Sequence, residues 1–305
     1  MSGFLTGVDL GGTKTEIAVL NPDGRPRLRE RVPTPAGGYD QTIRMIRDLV
    51  AQAETQIGQP IERVGIGTPG SLSPKSGTIR NANSTRLNGH PLDRDLAEAT
   101  GCQIRLENDA NCFALAEAVA GAGRGASCVF GVILGTGIGG GVILRQRPLI
   151  GANAIAGEWG HNPLPGTGPD EDQPPACYCG RQGCIEAWCS GPAMAEDHAR
   201  RTGQSLTAHQ IADRAANGDG DAARTLDLHA GRLGRALASV TNILDPDVIV
   251  LGGGLSNLAG LAALLHDRMR PHVFSDTFTT PIRRNELGDS AGVFGAAWLW
   301  REVSQ

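Results

Sequence analysis

Two rhythms of apolar and polar residues alternate along the chain. Phe4-Leu5-Thr6-Gly7-Val8-Asp9 and Thr15-Glu16-Ile17-Ala18-Val19-Leu20 read as strands joined by the tight turn Gly11-Gly12-Thr13, and a third strand is predicted over 27–32. Ile43, Ile46, Leu49, Val50 and Ala53 then recur at helical spacing, which predicts a helix over 39–57 with one face on the sheet. A buried strand over 61–66 runs into the Gly/Pro-rich loop Gly65-Ile66-Gly67-Thr68-Pro69-Gly70. A helix over 92–99, stopped by Gly101, precedes a strand over 104–106 and a helix over 111–119. The strand Val129 to Leu134 enters the glycine run 135–141, read as a turn into the strand Val142-Ile143-Leu144. Helical periodicity covers 192–244, with breaks near Gly203 and over 217–220. The strand Val248 to Leu251 ends in Gly252-Gly253-Gly254 ahead of a helix predicted over 255–269, and a final helix over 292–301 carries Trp298 and Trp300. Strand, Gly-Thr turn, strand thus occurs twice, over 9–20 and 129–144, which predicts two related halves whose glycine turns face each other across a cleft.

Composition narrows the picture. At 305 residues the chain exceeds the usual single-core size, so two domains are expected. With 28 basic against 32 acidic residues and no basic run, the sequence carries no nucleic-acid footprint, and a small-molecule partner is expected. No apolar run reaches the roughly 18 residues that span a bilayer, and the first residues lack signal-peptide features, so a cytoplasmic protein is expected. In a reducing compartment Cys102, Cys112, Cys128 and Cys189 read as small buried hydrophobes.

Candidate chemistry gathers at six places. Adjacent glycines let backbone N–H groups converge on an anion, so Gly11-Gly12-Thr13 and Gly135-Thr136-Gly137 read as phosphate cradles or as hairpins that simply need glycine. Neither is a Walker loop or a dinucleotide fingerprint, because a strand rather than a helix follows each. Gly252-Gly253-Gly254 admits a flat ring or phosphate close to backbone, or serves only as a strand-to-helix turn. In Leu106-Glu107-Asn108-Asp109, a carboxylate stands where an apolar strand meets a helix, and Asp109 reads either as that helix's N-cap or as a general base. The loop 81–85 offers amides and hydroxyls suited to a sugar or to a plain turn. Finally, Cys177, Cys179 and Cys184 lie within eight residues, and with His161 they make a closed tetrahedral set suited to structural zinc, bracing the segment that carries Glu158 and Glu186.

Taken together, Asp9-Leu10-Gly11-Gly12-Thr13-Lys14, Glu107-Asn108-Asp109-Ala110-Asn111, Leu134-Gly135-Thr136-Gly137, Gly157-Glu158-Trp159-Gly160-His161, the stretch Cys177 to Glu186 and Leu251-Gly252-Gly253-Gly254 resemble the ROK family of sugar kinases over nearly the whole chain. The resemblance implies a two-domain α/β fold of the actin/hexokinase (ribonuclease H-like) type with a cleft, divided as 1–118 plus 290–305 and 119–289. It implies sugar contacts at Asn83, Asn108, Asp109, Glu158, His161 and Glu186, and catalysis by Asp109. ATP with Mg²⁺ would engage Asp9, Gly11, Gly12, Thr13, Lys14, Gly135, Thr136, Gly137, Gly252 and Gly253. Zinc would be held by His161, Cys177, Cys179 and Cys184, and the chain would assemble as a homodimer. Within the family, Asn81 to Thr85 with Leu87-Asn88-Gly89 and the stretch Ile243 to Gly254 look most like fructokinases that also accept mannose, although Thr68 and Arg86 depart from that pattern. N-acetylglucosamine or glucose phosphorylation is the alternative reading. A sugar-sensing regulator would place a helix-turn-helix ahead of the first strand, where Phe4 already begins it, and a non-catalytic sugar-binding protein would be expected to lack the base or a glycine turn.

Overall fold

The computed structural model describes residues 3–166, 168 and 171–301, and its chain divides into two compact units. The first comprises Met1–Gly121, Gln146–Ala156 and Leu287–Gln305; the second, Ala122–Arg145 and Gly157–Glu286.

In the first unit, the antiparallel strands β1 (Leu5–Leu10), β2 (Lys14–Leu20) and β3 (Pro26–Pro33) are followed by α1 (Tyr39–Ile57). Its apolar stripe, Ile46, Leu49, Val50, Ala53 and Ile57, is buried, and Gly58 ends it in a left-handed conformation. Next come β4 (Arg63–Thr68), the short hairpin β5 (Ser71–Leu72) and β6 (Ile79–Arg80), α2 (Leu92–Thr100), β7 (Gln103–Asn108) and α3 (Asp109–Ala120). The sheet order is β3-β2-β1-β4-β7, with β1, β4 and β7 parallel. Alternation identified the long strands; two-residue strands such as β5 and β6 are too short to show a period.

The second unit repeats that plan. The hairpin of β8 (Cys128–Leu134) and β9 (Ile138–Leu144) is followed by the two-residue β10 (Arg147–Pro148), assigned to the first unit, then by α4 (Ile185–Cys189), α5 (Gly191–Thr202), α6 (Ala208–Ala216) and α7 (Gly220–Leu244). After these come β11 (Val248–Gly252), α8 (Leu261–Met269) and β12 (Ile282–Arg284). Strands β9, β8, β11 and β12 lie side by side in that order, β8, β11 and β12 being parallel.

Three expectations need correcting. Gly139, Gly140 and Gly141 pair with Ile133, Val132 and Gly131 inside β9, so the turn of this hairpin is shorter than the glycine run suggests. No single helix covers 255–269: a 3₁₀ turn, Gly254–Asn257, comes first, and Gly260 at φ +75° breaks helical geometry before α8 begins. Gly65 to Thr68 do not belong to the Gly/Pro-rich loop; they continue β4, and Thr68 is fully buried at its end.

The last helix, α9 (Ala291–Trp298), lies on the first sheet at backbone distance. A Cβ added at Gly65 would stand 1.8 Å from the Ala296 carbonyl oxygen, and one at Gly7 would stand 2.3 Å from the Ala297 nitrogen. Overpacking of this kind forces backbone shifts that cost about 1–3 kcal/mol or more. Gly65→Ala is therefore expected to lower unfolding stability by at least about 2 kcal/mol in urea titration; a change within about 0.5 kcal/mol would show that the helix can retreat freely.

Candidate active site

Parallel pairing places the candidate acids of the first unit. The register sets Asp9 beside Gly67 and Gly67 beside Glu107, then Thr68 beside Asn108, so three strands deliver Asp9, Gly67 to Gly70 and Asn108-Asp109 to one carboxyl edge. Ligands of open α/β sheets sit at such edges. Glycine makes room around the first acid: a Cβ at Gly292, in α9, would lie 2.7 Å from the Asp9 carboxylate, and one at Gly67 would lie 3.6 Å from it. Burial, and then the negative charges of Asp109 and Glu16, push the Asp9 carboxyl up to about 7.

The cap of α3 is Asn108, not Asp109: the Asn108 side chain accepts from Ala110 N at 2.9 Å while its amide donates to the Gly70 carbonyl at 3.1 Å. Asp109 is the first helical residue, with Oδ1 accepting from Ala110 N at 2.8 Å. Asn108 has the β-region backbone that a cap requires, and Asp109 follows it into the helix. Glu107 sits beneath them, its Oε1 accepting from Asn108 N at 2.8 Å and from Asn111 Nδ2 at 3.0 Å. Burial raises its carboxyl above the usual range.

The first glycine turn is closed by Gly11 N–H donating to the Lys14 carbonyl at 3.1 Å. Thr34 pins it from β3's end, its hydroxyl donating to Gly11 O at 2.9 Å and its N–H to Thr13 O at 2.9 Å. A Cβ on Gly12 would touch Ser84 Oγ at 3.5 Å, so the turn adjoins the loop 81–85. Asn83 is exposed there. Asn88 holds the loop by clamping Ala82, accepting from its N–H and donating to its carbonyl, each at 3.0 Å.

In the second unit, the turn Gly135-Thr136-Gly137 and the turn Gly252-Gly253 meet at the ends of β8 and β11. Gly252 pairs with Ile133, and a Cβ on Gly253 would stand 2.4 Å from the Leu134 carbonyl oxygen. Glu186 Oε2 accepts from Ile138 N at 2.8 Å, and a Cβ on Gly137 would come within 2.6 Å of it. This predicted sugar contact is thus bound to the glycine turn. Glu158 is exposed at the start of the 3₁₀ turn Trp159–His161. The glycines of β9 receive this segment: Trp159 Nε1 donates to Gly139 O at 3.0 Å, and a Cβ on Gly140 would strike the indole at 2.6 Å.

His161, Cys177, Cys179 and Cys184 offer ligand atoms that all lie within 4.8 Å of one another. Cys179 and Cys184 sulfurs are 3.6 Å apart, and Cys177 Sγ lies 3.7 Å from His161 Nδ1. Tetrahedral zinc with bonds of about 2.0–2.3 Å needs edges of about 3.6–3.8 Å, so the set fits that ion. The backbone N–H of Arg181 lowers the Cys179 thiol toward its thiolate. His161 Nε2 lies 3.0 Å from the Tyr178 hydroxyl, so both ring nitrogens face protein groups: one the cysteines, the other a tyrosine. The loop is anchored deeper in the core: Glu171 pairs with Arg232 at 3.1 Å and Arg235 at 2.6 Å, Arg232 pairs with Asp197 at 3.1 Å, and its guanidinium lies 4.5 Å from the Trp188 ring centre.

Sequence reasoning assigned no role to Glu107, Thr34, Asn88, Tyr178, Arg232 or Gly292. A buried-core arginine and a glycine clearing space for an acid leave no local periodic signal. Tyr178 stood inside the cysteine cluster and could have been read as a partner for the histidine.

Two measurements test this geometry. Purified protein is expected to carry about one equivalent of zinc per chain by elemental analysis, with Cys179→Ser lowering that content and the melting temperature together; zinc-free protein of unchanged stability would dismiss the site. Because Asp9 has its folded pKa raised from 3.8 to about 7, its contribution is complete below about 4 and is lost as pH climbs through 7. Asp9→Asn is therefore expected to raise the melting temperature at pH 8 more than at pH 5, and an equal shift at both would contradict the burial and repulsion assigned to it.

Residues 5–303 match the model of the ROK family. The chain is 38% identical over 297 residues to N-acetyl-D-glucosamine kinase of Citrobacter koseri, covering 96% of this chain and 98% of that protein, and the same holds for the enzyme of Escherichia coli O9:H4. Among solved structures, it is similar to a ROK hexokinase from Thermus thermophilus at TM-score 0.85 and 36% identity, covering 97% of each chain. A ROK family glucokinase from Streptomyces griseus, in complex with glucose and AMPPNP, aligns at TM-score 0.77 and 30% identity over 97% of this chain and 99% of its own. With strand order, glycine turns and cysteine cluster all in place, the chain belongs to the ROK family.

Proposed function

We propose that this ATP-dependent hexose kinase phosphorylates the primary hydroxyl of N-acetyl-D-glucosamine, with Asp109 as general base. The observation that carries the choice of sugar is the 38% identity to N-acetyl-D-glucosamine kinases over 96% of the chain. It supports the alternative weighed in the sequence reading above fructose, which none of the relatives named above bears in its name. Glucose is the second reading, favoured by the glucokinase whose structure contains that sugar.

Phosphoryl transfer is mainly a matter of positioning and charge. Asp109 is fixed at the first turn of α3, where the Asn108 cap and the Glu107 hydrogen bonds beneath it restrict its motion. In this reading it takes the acceptor hydroxyl's proton late, as the oxygen joins phosphorus and the bond to the leaving ADP breaks. Asp9 would orient the hydration shell of Mg²⁺, which supplies charge neutralisation on the phosphates when bound. A carboxyl held up by burial and by neighbouring acids is one that a cation would relieve. The turns at Gly11-Gly12-Thr13-Lys14, Gly135-Thr136-Gly137 and Gly252-Gly253 would take ATP through backbone N–H groups. Asn83, Asn108, Glu158, His161 and Glu186 would bind sugar hydroxyls. For Asn108, Glu186 and His161 that role has to coexist with the protein hydrogen bonds or contacts they already make.

The test is ADP release with N-acetylglucosamine, glucose, mannose and fructose. The expected order places N-acetylglucosamine first by at least tenfold in kcat/KM, a margin of about 1.4 kcal/mol; selective turnover of fructose would reverse the assignment. Asp109→Asn is expected to keep sugar affinity within a few-fold and to cut kcat by roughly 10²–10⁴. Near-normal turnover in that variant would remove Asp109 from its role.

A further inference from the structure

Four arginines, Arg63, Arg105, Arg147 and Arg301, line a cavity of about 810 Å³ in the first unit, together with Trp300 and Glu107. The open edge of β7 forms part of its wall, since β7 is the last strand of its sheet. Two of the guanidinium groups share one aromatic surface: Arg105 Cζ lies 4.0 Å and Arg63 Cζ 5.4 Å from the Trp300 ring centre. Arg105 is further fixed by donating from Nη1 to the Leu299 carbonyl at 2.6 Å, and Arg301 donates to the Gln146 side chain. None of these contacts neutralises charge. Among the described residues, Arg63, Arg105 and Arg301 make no ion pair, and the one acid in the wall is Glu107, already occupied by Asn108 N and Asn111 Nδ2.

Neighbouring guanidinium groups repel one another, and an oxyanion that joined Arg63, Arg105 and Arg301 would relieve that repulsion while meeting planar N–H donors suited to bidentate contact. The volume far exceeds that of a bare phosphate and falls in the range of small-metabolite pockets. Leu106, Pro148 and Ile150 provide an apolar stretch of wall suited to a sugar ring. We propose that this cavity is a second ligand site, separate from the carboxyl edge that holds Asp9 and Asp109, and that it takes a phosphate monoester of sugar size. Its wall reaches Glu107, whose hydrogen bonds hold the start of α3, so occupancy would be felt next to Asp109. The proposal holds whichever hexose is the acceptor.

Calorimetric titration tests it, using full-length protein saturated with N-acetylglucosamine and a non-hydrolysable ATP analogue so that the catalytic site is filled. Glucose 6-phosphate and inorganic phosphate are the probes. Glucose 6-phosphate is expected to bind at about one per chain, more tightly than phosphate and more weakly as salt rises. The double variant Arg63→Gln/Arg147→Gln is expected to lose at least tenfold in affinity while keeping wild-type turnover. Arg105→Lys, which keeps the charge but not the planar fork, is expected to weaken binding as well and serves if the double variant is unstable. Absence of binding to the wild type, or equal affinity in wild type and variants, would overturn the site. Phosphate bound as tightly as glucose 6-phosphate would overturn its assignment to a sugar-sized ligand. Failure of the kinase reading would show instead in the ADP-release assay, which these titrations do not use.

Discussion

Burial of one carboxyl beside other acids is the constraint on which the carboxyl edge of the first unit depends. Asp9 and Asp109 arrive at one carboxyl edge because β1, β4 and β7 are parallel and in register, and there burial, followed by the charge of Asp109, disfavours ionisation of Asp9. Left to itself such an arrangement would relax by turning one acid into solvent. It is held because Asp109 belongs to the first turn of a helix whose cap is fixed from below by Glu107, and because glycines at 67 and 292 let backbone close around Asp9 without displacing it. In the proposed reaction a cation beside Asp9 would relieve that crowding, which links the packing to the chemistry.

The second unit holds its glycine turns by contacts from outside the hairpin. Glu186 closes one turn by accepting from Ile138 N, and it stands in α4, directly after Cys184. On the other side of the cysteine cluster, Trp159 presses so closely on β9 that Gly140 has no room for a side chain, and Gly160 in turn has none against Ile138. A metal bound by His161 and the three cysteines would therefore stabilise both flanks of the same hairpin. The buried Glu171–Arg232–Asp197 network ties the intervening loop to α5 and α7, and breaking one member would strand the other charges in the core.

Both units share one order of strands, an antiparallel hairpin flanked by parallel strands, yet they share little at the sites themselves. The first supplies the carboxylates. The second supplies the cysteine cluster and a layer of helices. Division of labour of this kind suits phosphoryl transfer, in which deprotonating the acceptor and neutralising the donor make opposite electrostatic demands.

Much of this was legible in the chain because it is local. Alternation gave the hairpins, the 3.6-residue spacing gave α1 to its end residues, and cysteine spacing gave the grouping of the three thiols, since residues close in sequence need little help from the fold to meet. The identity of the α3 cap was misjudged by one residue, because Asn and Asp both cap well and only backbone angles distinguish them. What the tertiary structure alone decided are the contacts between distant segments: Gly292 beside Asp9, Arg232 beneath the loop near the cysteine cluster, Tyr178 on His161, and arginines from β4 and β7 on one indole. A sequence records the period of each element, but which side chains meet depends on strand register and helix packing, and those are fixed only when the whole core forms.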